Sequence, residues 1–91
     1  MEYQIKHDTD AKRFETTVDG TQAFLEYGLS DGILDIRHTI VPKPIEGRGI
    51  AASLVKTALE YARENNLAVR PSCWYADIYV QRHPQYADLL A

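Results

Sequence analysis

A glycine-rich loop, a lone thiol and a strand histidine are the parts of this sequence best suited to chemistry. The loop reads Pro42-Lys43-Pro44-Ile45-Glu46-Gly47-Arg48-Gly49-Ile50-Ala51 and runs into a helical pattern. Glycine and small alanine let a ligand come close to the main chain. The first N–H groups of a helix have no internal partners, and the helix dipole favours an anion there. A diphosphate is therefore the natural occupant, held by the amides of residues 47–51. Arg48 can add a charge-assisted contact. The same residues also fit a plain glycine-rich helix entry that binds nothing. They match neither Gly-x-x-x-x-Gly-Lys-Ser/Thr nor Gly-x-Gly-x-x-Gly.

Cys73 falls at the carboxyl end of a short apolar run, the end of a parallel strand where ligands gather in open α/β units. As a thiolate it can accept an acyl group from a thioester and pass it on. As a small apolar side chain it fits a buried structural position equally well. His38 alternates with Leu34, Ile36 and Ile40, which predicts a shared face. Histidine is a common general base, and His38 could serve as one toward Cys73 or an acceptor amine. A core histidine satisfied by hydrogen bonds is the plainer alternative. Trp74 and Tyr75 can line a ligand pocket or close a small core. Arg82 can reach phosphates or solvent, and His83 can cap a helix.

The rest of the chain bounds these readings. It has 91 residues, enough for one domain with a modest core. A hydrophobic share of 45% is ordinary for a globular protein. The net charge of −3, with scattered basic residues, argues against nucleic acid or an anionic membrane as partner. A single cysteine excludes an internal disulfide framework and any multi-cysteine metal site. His7, His38 and His83 are far apart, with no carboxylate spaced to complete a metal site, so none is expected. No apolar run approaches the ~20 residues of a membrane helix. Residues 1–10 lack a signal-peptide core. A soluble cytoplasmic protein is expected, monomeric or weakly dimeric through a sheet edge.

Alternation places strands at residues 13–18, 22–29 and 32–41, joined at Asp19-Gly20 and Ser30-Asp31-Gly32. Residues 3–6 form a candidate edge strand. Pro42 and Pro44 end the sheet. A helix over 49–64 carries Ala51, Leu54, Val55, Ala58, Leu59 and Ala62 as its apolar stripe, and Asn65-Asn66 ends it. A strand over 67–71 and short helices over 74–80 and 84–90 follow. The expected fold is α+β, an antiparallel meander leading into a βαβ unit with a mixed sheet.

These motifs, taken together, resemble a family. A strand, Val41-Pro42, Gly47-Arg48-Gly49-Ile50-Ala51 and an amphipathic helix look like the acetyl-CoA-binding motif of GCN5-related N-acetyltransferases. That family's loop is Gln/Arg-x-x-Gly-x-Gly/Ala. Gly49 and Ala51 match it, while Glu46 departs at the first position. A very small branch of the family is closer still. It shares His38-Thr39-Ile40-Val41-Pro42, Gly47-Arg48-Gly49, Pro71-Ser72-Cys73 and Arg82-His83-Pro84-Gln85-Tyr86, in that order. The resemblance covers most of the chain and implies a minimal fold of this kind. It implies strands that splay around pantetheine, with backbone at Ile40 and Val41 binding that arm. It assigns the diphosphate to residues 47–51, and it puts Tyr79 where many relatives hold a tyrosine that protonates the departing thiolate. The function it implies is acetyl transfer from acetyl-CoA to an amine. A coenzyme A-binding module without efficient chemistry, and an interaction domain with no ligand, are the competing expectations.

Overall fold

The computed structural model describes residues 3–91. Its centre is a five-stranded sheet in the order β1-β2-β3-β4-β5. The strands are β1 (Lys6–Asp8), β2 (Arg13–Val18), β3 (Thr21–Ser30), β4 (Ile33–Ile40) and β5 (Ala68–Pro71). The first four pair antiparallel, and β4 and β5 pair parallel. Helix α1 (Ile50–Glu64) connects that parallel pair, and α2 (Trp74–Arg82) follows β5. One-turn and two-turn 3-10 segments occupy Lys43–Ile45 and Pro84–Leu89.

Local chemistry sets the meander. Asp19 and Gly20 both have positive φ, 50° and 77°, as do Asp31 and Gly32, at 52° and 75°. Two consecutive left-handed residues make the tight turn whose twist suits a hairpin. The edge strand lies at 6–8 and not at the expected 3–6. Its register is Lys6↔Glu15, His7↔Phe14 and Asp8↔Arg13. The segment before it is fastened differently, through the Thr16 hydroxyl donating to the Gln4 carbonyl at 2.8 Å.

Helix α1 buries Ile50, Leu54, Val55, Ala58, Leu59 and Ala62 against the sheet. Ile50, and not Ala51, is the buried first member of the stripe; Ala51 is only half-buried. The larger side chain takes the core because its burial removes more apolar surface from water. The helix stops as its Asn65-Asn66 pair predicts. Asn66 is left-handed at φ 54°, Asn66 N–H donates to Arg63 O, and Leu67 N–H donates to Ala62 O at 2.9 Å. That pair of bonds is a Schellman ending.

The decisive irregularity lies in β4. Tyr27 pairs with Ile36, yet Glu26 pairs with His38. Arg37 is the extra residue of a β-bulge. A strand's side chains alternate, so one inserted residue exchanges the two faces beyond it. Leu34 and Ile36 face the helices with Leu25 and Tyr27, and all four are buried. Past the bulge, Thr39 lies opposite Leu25 and takes the helix side. His38 lies opposite Glu26 and Ile40 opposite Phe24, on the uncovered side. His38 is exposed and Ile40 is 45% exposed. The expected common face of Leu34, Ile36, His38 and Ile40 is therefore broken at Arg37.

The sheet's β5 edge is partly closed. Val69 bridges Leu90, and Ala91 N–H donates to Val69 O at 2.9 Å. Among the described residues, no helix is long and apolar enough to cross a membrane.

Truncating Leu54, wholly buried, should cost about 2–5 kcal/mol as Leu54→Ala. His38→Ala should stay within about 0.5 kcal/mol, as for most exposed positions. Urea denaturation of both variants checks this. A large loss for His38→Ala would mean that the histidine sits in the core and that the bulge is misplaced.

Candidate functional site

The parallel ladder is short. Its last pair is Ile36↔Pro71, and Cys73 N–H then donates to Ile36 O at 2.9 Å. Beyond that bond β4 runs on to Ile40 while the chain after β5 turns away into α2. Ser72 fixes the turning point by donating its hydroxyl to Asp35 Oδ1 at 2.6 Å. The strands therefore part, and the gap is a cleft of about 370 Å³. Thr39 and Val41 form one wall. Cys73, Trp74 and Tyr75 form a second, at the start of α2. Glu46, Gly47 and residues 49–52 form the third, at the start of α1. Two helix amino ends thus border one hollow.

The α1 end is built to stay open. Its N-cap is Gly49, left-handed at φ 75°, and no side chain caps the helix. Gly47 is left-handed too, at 76°. A Cβ added at either glycine would meet nothing within 4 Å. These glycines are required by backbone conformation, and the space beside them is open to a ligand. The first-turn N–H groups, which have no partner within the helix, border the cleft. The donors and the open space beside them would fit an anionic group.

Arg48 is placed otherwise. Its guanidinium meets Asp19 Oδ2 at 2.6 Å, at the tip of the β2–β3 hairpin, and its carbonyl accepts the Tyr3 hydroxyl. Between two left-handed glycines its side chain leaves the cleft side, so the expected phosphate contact is absent and the residue ties the loop to the sheet instead. Both partners are well exposed, and such a pair is worth only about 0–1 kcal/mol.

Cys73 is the N-cap of α2 and is 9% exposed. Its thiol donates to Thr39 Oγ1 at 3.7 Å. Thr39 is the side chain that the sequence reading missed. The predicted His38–Cys73 pairing does not form, because the bulge sends His38 to the opposite face. The only sequence signal for it is the run Arg37-His38-Thr39, three polar residues where strict alternation wants an apolar one.

Val41 lines the cleft, whereas Ile40 is not among its lining residues and pairs with Phe24 on the uncovered side of the sheet. Tyr79 lines an adjoining hollow and not the cleft itself. It stacks on His83 with ring centres 3.9 Å apart. Burial pushes the phenols of Tyr75 and Tyr79 above their ordinary values, so both keep their protons near neutrality. Tyr75 and Trp74 do line the cleft, and Trp74 is 73% exposed.

A larger hollow of about 480 Å³ lies across α1, against β1. Its one imidazole, His7, is already held. His7 Nε2 meets the Tyr27 hydroxyl at 2.6 Å, and its ring stacks on Phe14. Desolvation holds His7 below its ordinary pKa, against the opposing pull of Asp8. That hollow lacks a helix amino end.

The arrangement of strand gap, open helix start and following helix recurs in known proteins. The family model described as GCN5-related N-acetyl-transferase matches residues 13–89. The chain belongs to the GCN5-related N-acetyltransferases. Among its relatives, Protein NATD1 of Gallus gallus is 37% identical over 92 residues, covering 96% of this chain and 84% of the relative. Protein NATD1 of Homo sapiens is 36% identical, covering 96% and 81%. The NMR solution structure of a GCN5-like protein from Staphylococcus aureus superposes with a TM-score of 0.77. It is 29% identical and covers 98% of this chain and 88% of its own. The superposition extends over nearly the whole chain, so membership of the N-acetyltransferases accounts for the α+β order.

Gly49→Ala isolates the conformational demand of the loop. With nothing within 4 Å of the new methyl, its cost is that of left-handed backbone, about 1–2 kcal/mol. Chemical denaturation should report that loss, and an unchanged midpoint would mean that Gly49 is not left-handed in solution.

Proposed function

We propose that this member of the family transfers an acetyl group from acetyl-CoA to an amine. The observation that carries the reading is the gap between β4 and Cys73, which opens beside the uncapped start of α1. The diphosphate of the cosubstrate lies against the amides of residues 47–51. The pantetheine arm follows β4 at Ile40 and Val41, whose outer backbone groups have no β5 partner. The thioester then points toward Thr39 and Cys73.

Two routes fit this placement. In the direct route the amine attacks the thioester carbonyl, the carbon–sulfur bond breaks, and CoA leaves as a thiolate that takes a proton. The protein acts by positioning and by polarising the carbonyl. In the two-step route the Cys73 thiolate attacks first and releases CoA, and the amine then takes the acetyl group from acetyl-Cys73. Tyr75 and Tyr79 retain their protons, and of the two Tyr75 borders the cleft, so Tyr75 is the nearer donor to the departing thiolate. A base role for His38 survives only toward an acceptor that arrives over the uncovered face of the sheet.

A second reading, binding of coenzyme A without efficient turnover, has one observation in its favour. Glu46 lines the cleft where the family places Gln or Arg, and Arg48 is turned away to Asp19.

Thermal melting with coenzyme A tests the shared premise. At about 100 times Kd, a ligand specific to the native state adds about 2.7 kcal/mol. In a domain this small that raises Tm by roughly 10 °C or more. An unchanged Tm removes both readings. Acetyl-CoA turnover with a panel of amines then separates them. Cys73→Ala should abolish any acetyl-protein adduct seen by mass spectrometry on the two-step route, whereas full turnover by that variant eliminates the route.

A further inference from the structure

We infer that Arg82, at the carboxyl end of α2, holds the 3′-phosphate of the cosubstrate's adenosine. This deepens the reading of the cleft as a coenzyme A site and rests on it.

A hollow of about 220 Å³ adjoins the cleft. Ala52 and Tyr75 line both, so the two form one groove between α1 and α2. Coenzyme A carries negative charge at two places, the central diphosphate and the monophosphate on the ribose 3′ position. With the diphosphate on the first turn of α1, the adenosine end needs a second surface within reach. The groove supplies one.

Its far end has the right chemistry. Arg82 lines it and is exposed. Arg13, Arg37, Arg48 and Arg63 are each held by a carboxylate, whereas Arg82 has no ion pair among the described residues. Its charge reaches Tyr75, where it opposes the effect of burial on the phenol. The Tyr79 and His83 rings lie 3.9 Å apart and 14° from parallel, a flat apolar platform beside that charge. Base-on-aromatic stacking is sequence-tolerant and suits a purine. His83 Nδ1 lies 2.7 Å from the Tyr79 carbonyl oxygen. A carbonyl only accepts, so Nδ1 carries the proton and this bond holds the ring in place against Tyr79. Arginine on a phosphate can bind with two parallel bonds, which gives the contact both strength and direction.

Titration calorimetry with coenzyme A and with dephospho-coenzyme A, which lacks only the 3′-phosphate, tests the assignment. The wild-type chain should prefer coenzyme A by about tenfold, the size expected of a hydrogen bond to a charged group. Arg82→Gln should lose that preference, binding coenzyme A about tenfold more weakly and dephospho-coenzyme A as before. Raising the salt concentration should shrink the wild-type preference, since the contact is exposed. Equal binding of the two ligands by the wild type, or equal weakening of both by Arg82→Gln, overturns the subsite while leaving the cleft reading intact. Failure of both ligands to bind removes the cleft reading as well. Arg82 is exposed, and the native fold of the variant is checked by its unchanged melting profile without ligand.

Discussion

One inserted residue governs the site. Arg37 has no partner across β3, because Glu26 pairs with His38 and Tyr27 with Ile36. Everything on β4 beyond that point is turned over relative to the residues before it. The bulge is held by its own contacts. The Arg37 guanidinium lies over Gly28, so closely that a Cβ there would sit 2.4 Å from Nη2. Arg37 Nε also reaches Asp35 Oδ2 at 3.6 Å, and Asp35 Oδ1 accepts the Ser72 hydroxyl at 2.6 Å. Ser72 is where the chain leaves the sheet. The bulge and the parting of the parallel strands are thus two ends of one polar chain, Gly28 to Arg37 to Asp35 to Ser72. The cleft exists because both occur at the same height on the sheet.

The second requirement is that α1 begin at that height. Its position is fixed from the far side by burial. Ile50, Leu54, Val55, Ala58, Leu59 and Ala62 are removed from solvent, the Ile, Leu and Val side chains each being worth about 1.5–3 kcal/mol. Those contacts set the axis of the helix. Its amino end then borders the cleft without any side-chain cap, a state that leaves first-turn N–H groups unsatisfied and lowers helix stability. The same helix therefore supplies stability along its length and an anion-accepting end. The loop leading into it is anchored at Arg48, by its guanidinium on Asp19 and by Tyr3 on its carbonyl, so the glycines on either side can remain open.

Much of this was legible from residue types. Asp19-Gly20 and Asp31-Gly32 announce their turns because few residues accept two successive positive φ values. The stripe along α1 and its Asn-Asn ending follow from helical period and capping. Gly47 and Gly49 mark the loop. What could not be read was the parity of β4. Alternation assumes an unbroken ladder, and the bulge depends on a contact between Arg37 and Gly28 on different strands. The misassigned face of His38, the missed Thr39 and the misplaced Arg48 side chain share that origin. Each is decided by a partner distant in sequence. Ile50 displacing Ala51 from the core is a smaller case, where two apolar neighbours compete and the larger one wins.

The sheet's two faces divide the work. Both helices lie on one side, so the core is single and the opposite side faces solvent. That side is not bare hydrocarbon. Arg13 lies 3.6 Å over the Phe24 ring, beside Glu15, and Glu26 is opposite His38. Charged side chains laid over the half-buried aromatic keep the face wet while shielding its apolar surface. β4 loses its β5 partner at the height of Cys73, so the gap is bordered by Thr39 and Cys73 on the side that carries the helices, while the opposite face keeps its charged cover.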